Sequence, residues 1–196
     1  MLFRSGTDQE LLSPHYTSWA NWPEAMKDGL RLAQGFNFGL LDLVNKGVFG
    51  HYDYFLLLRV NVDLDPSIVE ILIDEIESDD RIGIVAPCGL DWEERRMIGS
   101  ESSRLVWHTH HYAWLVRRSL IEHLMERENP SYHNFLYDGS NFRGYMADTE
   151  IVIKGYINEF ATSLTTRTWF REDESALKTR ADLIKTDPYH VNQRRV

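Results

Sequence analysis

Residues 54–66 read Tyr54-Phe55-Leu56-Leu57-Leu58-Arg59-Val60-Asn61-Val62-Asp63-Leu64-Asp65-Pro66, an apolar run that gives way to three oxygen-bearing side chains. Over residues 54–60 both alternating sets of positions are apolar except at Arg59, the pattern of a strand covered on both faces in a parallel sheet. Open α/β sheets take ligands at the carboxyl ends of their strands, and carboxylates placed there usually hold a divalent cation. The run predicts a core strand that delivers acidic side chains to a sheet edge.

The adjoining segment fits a parallel crossover. Asp65-Pro66-Ser67 starts a helix in which Ile68, Ile71, Leu72 and Ile76 recur at helical spacing while Glu70, Asp74, Glu75 and Glu77 face water. Asp79-Asp80 turns the chain into a short strand over residues 82–86, stopped by Pro87. Strand, helix, strand is the unit of an α/β sheet. Upstream, the first twenty residues read as loop. Asn21, Pro23 and Glu24 start a helix to about Gly35, and a second short helix carries Leu40, Leu41, Leu43 and Val44 and stops at Gly47. Downstream, residues 89–104 read as a polar, mobile loop, then come a strand over 112–116, a helix over 119–127 and a loop through 130–144. Asp148 then caps a helix carrying Ile151, Val152, Tyr156 and Ile157. With no repeat or linker, residues 1–170 form a single domain, and 171–196 are a charged tail packed on the surface or partly mobile.

Composition narrows the function classes. A length of 196 residues suffices for one sizeable core. A net charge of −9 argues against binding nucleic acid through a broad basic surface. The single cysteine, Cys88, excludes an intrachain disulfide framework and is compatible with a reducing compartment. No run reaches the length of a membrane span and the first residues lack a signal-peptide layout, so the expected location is cytoplasmic.

Three constellations carry chemistry, each with a structural reading beside it. At strand spacing Asn61, Asp63 and Asp65 share a face and can approach a cation with its bound phosphates; alternatively Asp65 caps the helix and the others form a solvated turn. In Ala147-Asp148-Thr149-Glu150 a carboxylate at a helix start can act as general base for a hydroxyl; alternatively Asp148 caps the helix and Glu150 complements its dipole. His108, His110 and His111 invite a zinc site, but no HExxH or Cys/His spacing supplies a third ligand, and a polar strand edge or substrate-facing loop fits better. Cys88 reads as buried. The six Trp and nine Tyr can stack on sugar rings or fill the core. No Walker or GxGxxG phosphate loop is present.

Taken in order, Gly35-Phe36-Asn37-Phe38-Gly39, the strand into Asn61-Val62-Asp63-Leu64-Asp65-Pro66, Gly83-Ile84-Val85-Ala86-Pro87, Leu115-Val116-Arg117-Arg118, and Ala147-Asp148-Thr149-Glu150 with Gly155-Tyr156 resemble glycosyltransferase family 2, in its rhamnosyltransferase-like members. That family carries a GxNxG turn, an acidic DxD-like motif, a GIVGP strand and an ED-type acceptor motif followed by Gly-Tyr. The resemblance spans residues 30–160 and lies in order and spacing. It implies an α/β fold of the GT-A, Rossmann-like type: a mixed, mostly parallel sheet flanked by helices, with the first βα unit missing or reduced. Phe3-Arg4-Ser5-Gly6-Thr7-Asp8 resembles the end of the family's nucleotide-binding segment, so the chain reads as an N-terminally shortened member.

Carried over by position, the resemblance assigns Asp8, Asn37, Asn61 and Asp63 to the nucleotide-sugar donor, Asp63 and Asp65 to Mg²⁺ or Mn²⁺, and Asp148, with Glu150 beside it, to catalysis. The implied activity is inverting transfer from a nucleotide-diphosphate sugar to a hydroxyl of a glycan or lipid-linked acceptor, in polysaccharide assembly, with peripheral membrane contact. Ala147 stands where the family commonly has Glu. A nucleotide-sugar-binding or interaction module without turnover is the competing reading, and a metal-dependent hydrolase built on the histidines is a third.

Overall fold

A computed structural model of the chain describes residues 2–5, 17–23, 25, 30–59, 61–100, 102–140 and 146–173. The chain divides into two units: Met1–Phe55 with Val116–Phe160, and Leu56–Leu115 with Ala161–Val196.

In the first unit, strands β1 (Leu2–Ser5) and β2 (Thr17–Ala20) pair in parallel. Helix α1 covers Leu32–Asn45. The expected break after Gly35 is corrected, because one 14-residue helix runs through both Gly35 and Gly39. Each glycine costs about 1 kcal/mol against alanine in a helix, less than the roughly 1.5–3 kcal/mol gained by burying each of Leu40 and Leu43. The stop at Gly47 is as expected. Its φ of +70° suits glycine, and Val48 N donating to Leu43 O (3.0 Å) with Gly47 N donating to Val44 O (2.9 Å) closes a Schellman turn. Of the helix expected from Asn21, Pro23 and Ala25 are helical, and residues 24 and 26–29 lie outside the described residues. Helices α3 (Arg118–Leu124) and α4 (Ala147–Ile157) complete this unit. They approach closely at Gly155, where an added Cβ would lie 3.6 Å from Leu120 Cδ1.

Among the described residues the larger sheet, most of it in the second unit, has six strands: β3 (Tyr54–Leu58), β4 (Val62–Leu64), β5 (Ile82–Gly89), β6 (Ser103–Leu105), β7 (Ala113–Arg117) and β8 (Ala161–Glu172). Their order is β3-β7-β5-β8-β4, with β6 on β8. The α/β class with a mixed sheet is as expected. The described pairings are more antiparallel than the expected sheet: β8 runs parallel to β5 but antiparallel to β4 and β6. Strand β3 is an end strand with Phe55 and Leu57 buried and Leu58 exposed, so the expectation of burial on both faces is corrected. That description belongs to β5, all eight of whose residues are buried. Strand β5 continues past Pro87 because the register shifts between Pro87 and Cys88, and an irregularity there tolerates the missing N–H.

Helix α2 (Ile68–Glu77) packs Ile68, Leu72 and Ile76 against β5 and β8. Glu75, expected in water, is buried. Of residues 89–104, expected to be a mobile loop, Glu93–Met97 form a 3-10 turn and Ser103 and Arg104 begin β6. Gly99 N donates to Thr166 O (2.8 Å) and Val106 N to Thr162 O (3.0 Å), which ties the segment to β8. Strand β8 continues through Arg171 to Glu172, into the expected charged tail, and residues 174–196 lie outside the described residues. Among the described residues no helix is long and apolar enough to cross a membrane.

Candidate functional site

The sequence-predicted residues fall into two groups, one in each unit. In the first unit the group forms around the start of α4. Met146, in the left-handed region at φ 59°, is the N-cap, so Asp148 is a first-turn residue and not the cap expected of it. Its Oδ1 accepts from Thr149 N (2.7 Å) and, at 3.4 Å, from Thr149 Oγ1, while its Oδ2 enters none of the hydrogen bonds described. Glu150 pairs with Lys154 one turn on. Both carboxylates act on Tyr137. Burial, then the charges of Asp148 and Glu150, hold that phenol well above its ordinary pKa, so it stays neutral.

Asn37 places Tyr137. Its Nδ2 donates to Tyr137 O (2.8 Å) and Tyr132 O (3.1 Å), and its Oδ1 accepts from Leu136 N and Tyr137 N (both 2.9 Å). Two donors and two lone pairs are thereby all used, and the side chain is 0% exposed. Gln34 Nε2 adds a bond to Gly139 O (3.1 Å). A Cβ at Gly139 would fall 2.8 Å from Tyr132 O and 2.9 Å from His133 Cα, so the loop closes only on glycine. Asn37, expected in a donor-binding turn, is thus a mid-helix clamp. Through Tyr137 it is brought into one group with Asp148 and Glu150. Sequence reasoning misses Tyr137 itself; the apolar triplet Phe135-Leu136-Tyr137 inside a polar loop is its only signal.

In the second unit the group forms along β4. The chain leaves β3 at one edge of the sheet and enters β4 at the other, so Asp63 sits on a separate three-residue strand, with Asp65 just past it, and not at the end of a core strand. Asn61 Nδ2 donates to Glu172 Oε1 (3.0 Å). Asp65 Oδ1 accepts from Ser67 N (2.9 Å) and Ser67 Oγ (2.7 Å), an Asx turn leading into α2. Asp63 lies opposite Arg171 in the antiparallel register, is exposed, and makes no hydrogen bond or ion pair among the described residues. Asp8 lies outside the described residues.

Side chains remote in sequence line this edge. Glu172 N donates to Asp91 Oδ2 (3.2 Å). The Tyr112 phenol, pushed up to about 12 by burial and its bond to Glu172, lies under the Arg59 guanidinium at 4.4 Å. The Trp92 ring stacks on His110 at 4.4 Å and sits 5.4 Å from Phe170. The histidines do separate things. His111 is buried 4.0 Å from Trp114 and held neutral by burial and Arg59, while His110 Nε2 is 3.9 Å from Glu94 Oε1. Among the described residues no three His, Cys, Asp or Glu converge as a metal cage. Cys88 is buried as expected, and burial pushes its thiol to about 11, which makes it a poor nucleophile.

No protein-family model matches the chain, and no curated protein matches it.

Proposed function

We propose that the chain is an inverting glycosyltransferase that uses a nucleotide-diphosphate sugar. The observation that carries this reading is how the four carboxylates singled out by the sequence are employed. Asp65 is occupied in starting α2 and Glu150 in its pair with Lys154, whereas Asp63 and Asp148 each keep an oxygen unengaged among the described bonds. Asp63 is one of the two residues that the resemblance assigns to the donor's cation, with Asp65, and Asp148 is the one it assigns as the acceptor's base, with Glu150 beside it.

The donor set fits a cation that arrives with its substrate. Mg²⁺ and Mn²⁺ in such sites take one or two carboxylates, and phosphate oxygens and water complete the shell, so a cage of three protein ligands is not required. Asp63 would hold the ion, with Asn61 Oδ1 beside it. An ion held there would supply positive charge against that developing on the departing diphosphate. In the transfer that the resemblance implies, a base at the position of Asp148 would take the proton of the acceptor hydroxyl as its oxygen bonds to the anomeric carbon and the bond from that carbon to the diphosphate oxygen breaks. A single displacement inverts the anomeric centre.

Release of nucleoside diphosphate from a panel of nucleotide sugars, with glycan and lipid-linked acceptors and Mn²⁺, tests the reading. Asp63→Asn and Asp148→Asn are each expected to lower turnover by about 10²-fold or more at unchanged melting temperature, with Asp65→Asn far milder. Parent-like transfer by both variants would refute the assignment.

One observation favours a second reading, a saccharide-nucleotide binding or interaction module without turnover. Asn37 has no hydrogen-bonding capacity left for a donor. Metal-independent nucleotide-sugar binding with no product from any pair in the panel would select it.

A further inference from the structure

The first unit carries a groove of about 420 Å³ lined by none of the carboxylates used above. Phe38, Asp42 and Asn45 fall at i, i+4 and i+7 on α1, so one helix face supplies an aromatic ring and two planar polar groups. Trp22, Ser131 and Tyr132 form the facing wall. The Trp22 ring lies 5.2 Å from Phe38, nearly edge-on at 63°, and 5.2 Å from Tyr132 at 42°. All three rings are half-buried.

We propose that this groove binds a neutral saccharide. The lining selects that chemistry by elimination. Asp42 is the one charged member among the described lining residues, with Lys46 Nζ holding Oδ2 at 2.6 Å. An anionic ligand such as a phosphate would meet that carboxylate with no cation among the described lining residues to bind it. A wholly apolar ligand would cover Asp42, Asn45 and Ser131 and take water from their polar atoms. A sugar ring presents a C–H face to the aromatic rings and hydroxyls at its rim. A carboxylate such as that of Asp42 accepts from hydroxyls, Asn45 both donates and accepts, and Ser131 Oγ, whose proton goes to Asn134 while His133 N takes one lone pair, keeps a lone pair that accepts. The volume is that of ordinary small-molecule sites.

The wall is also built in advance. Asn37 holds the carbonyl of Tyr132 at 3.1 Å, and Ser131 donates from N and Oγ to Asn134 Oδ1 at 2.8 and 2.7 Å. Binding therefore costs little ordering of the protein, which lets a ligand of few contacts be held. The inference stands apart from the transferase reading, since Asp63 and Asp148 take no part in it.

Isothermal titration of the full chain with neutral gluco-, galacto-, manno- and rhamno-oligosaccharides tests the inference, with a proline-rich peptide as the alternative occupant of an aromatic groove. One saccharide series is expected to bind saturably. Trp22→Ala should weaken it about tenfold and the exposed Asn45→Ala about fivefold, each by removing a stacking or hydrogen-bonding partner. Asp63→Asn should leave it unchanged, which separates this site from the proposed donor site. Lack of saturable binding across the panel overturns the proposal, as does binding that survives both substitutions. So does saturable binding of the peptide in place of any sugar.

Discussion

Asn37 in the first unit and Glu75 in the second are both buried polar residues on a helix, 0% and 8% exposed, and each holds a segment far away in sequence. Asn37 makes four bonds, all to the main chain of residues 132–137. Glu75 makes its bonds to side chains: Oε1 accepts from Ser163 Oγ (2.8 Å), and Oε2 from Ser103 Oγ (2.5 Å) and Arg167 Nη2 (3.4 Å). The difference arises from what each must hold. An irregular loop has unpaired N–H and C=O groups, so its partner needs both donors and acceptors, and an amide has them. The backbones of β6 and β8 already pair with one another, so what remains there are hydroxyl and guanidinium donors, and an acceptor-only carboxylate suits them.

The comparison predicts unequal costs. Asn37→Ala strands two buried N–H groups and two carbonyls, and urea unfolding should show a loss of about 3–5 kcal/mol. Glu75→Ala should cost about 2 kcal/mol, because the serine hydroxyls can rotate and Arg167 keeps Asp74 at 2.6 Å. Glu75→Gln should cost roughly half of that, since an acceptor remains for one serine. A Glu75→Ala loss larger than that of Asn37→Ala would break the distinction between main-chain and side-chain clamps.

Neither clamp is legible in the sequence, and the reasons are physical. Glu75 lies in a helix whose other acidic residues do face water; only the arrival of Ser103 and Ser163 from distant strands makes its position buried. Asn37 stands between two glycines, which locally signal a turn, and burial of the leucine face overrides them. Strand β8 is hidden because its run Thr162-Ser163-Leu164-Thr165-Thr166 reads as polar, although threonine is β-branched and favours strands. Helix α2 and strands β5 and β7 are legible because their periodicity is local. In the same way Asp63 and Asp148 are marked by their place beside apolar runs. Tyr137, Trp92 and Glu172 reach their groups only through long-range pairing, which one-dimensional spacing does not encode.

Each unit also buries a titratable ring, and these set opposite pH limits. His111 is held neutral in the second unit, well below the 6.5 of a free histidine, by burial and then by Arg59. The unfolded chain therefore binds a proton the folded one refuses. The stability from His111 is complete above about pH 6.5 and falls by about 1.4 kcal/mol per pH unit below it. Tyr137 in the first unit is raised above 10, so its contribution is complete below pH 10 and lost as the pH rises beyond it. Denaturant midpoints between pH 7 and 5 should track the acid slope in the parent and flatten in His111→Phe. An undiminished slope in that variant would place the acid-sensitive group elsewhere.

The smallest effect probes the division among the carboxylates. Asp65 is committed to the turn that starts α2, with both its bonds to Ser67, so Asp65→Ala should cost about 1 kcal/mol, the typical loss at a helix start. Asp63 two residues earlier makes no described bond, and Asp63→Ala should stay within about 0.5 kcal/mol of the parent. Titration with nucleoside diphosphates and Mn²⁺ should reverse the order, with binding lost in Asp63→Ala and kept in Asp65→Ala. The two measurements together separate a residue retained for the fold from one retained for a ligand. If Asp63→Ala proved the more destabilising of the two, its carboxylate would be structural and the donor-site assignment would lose its support.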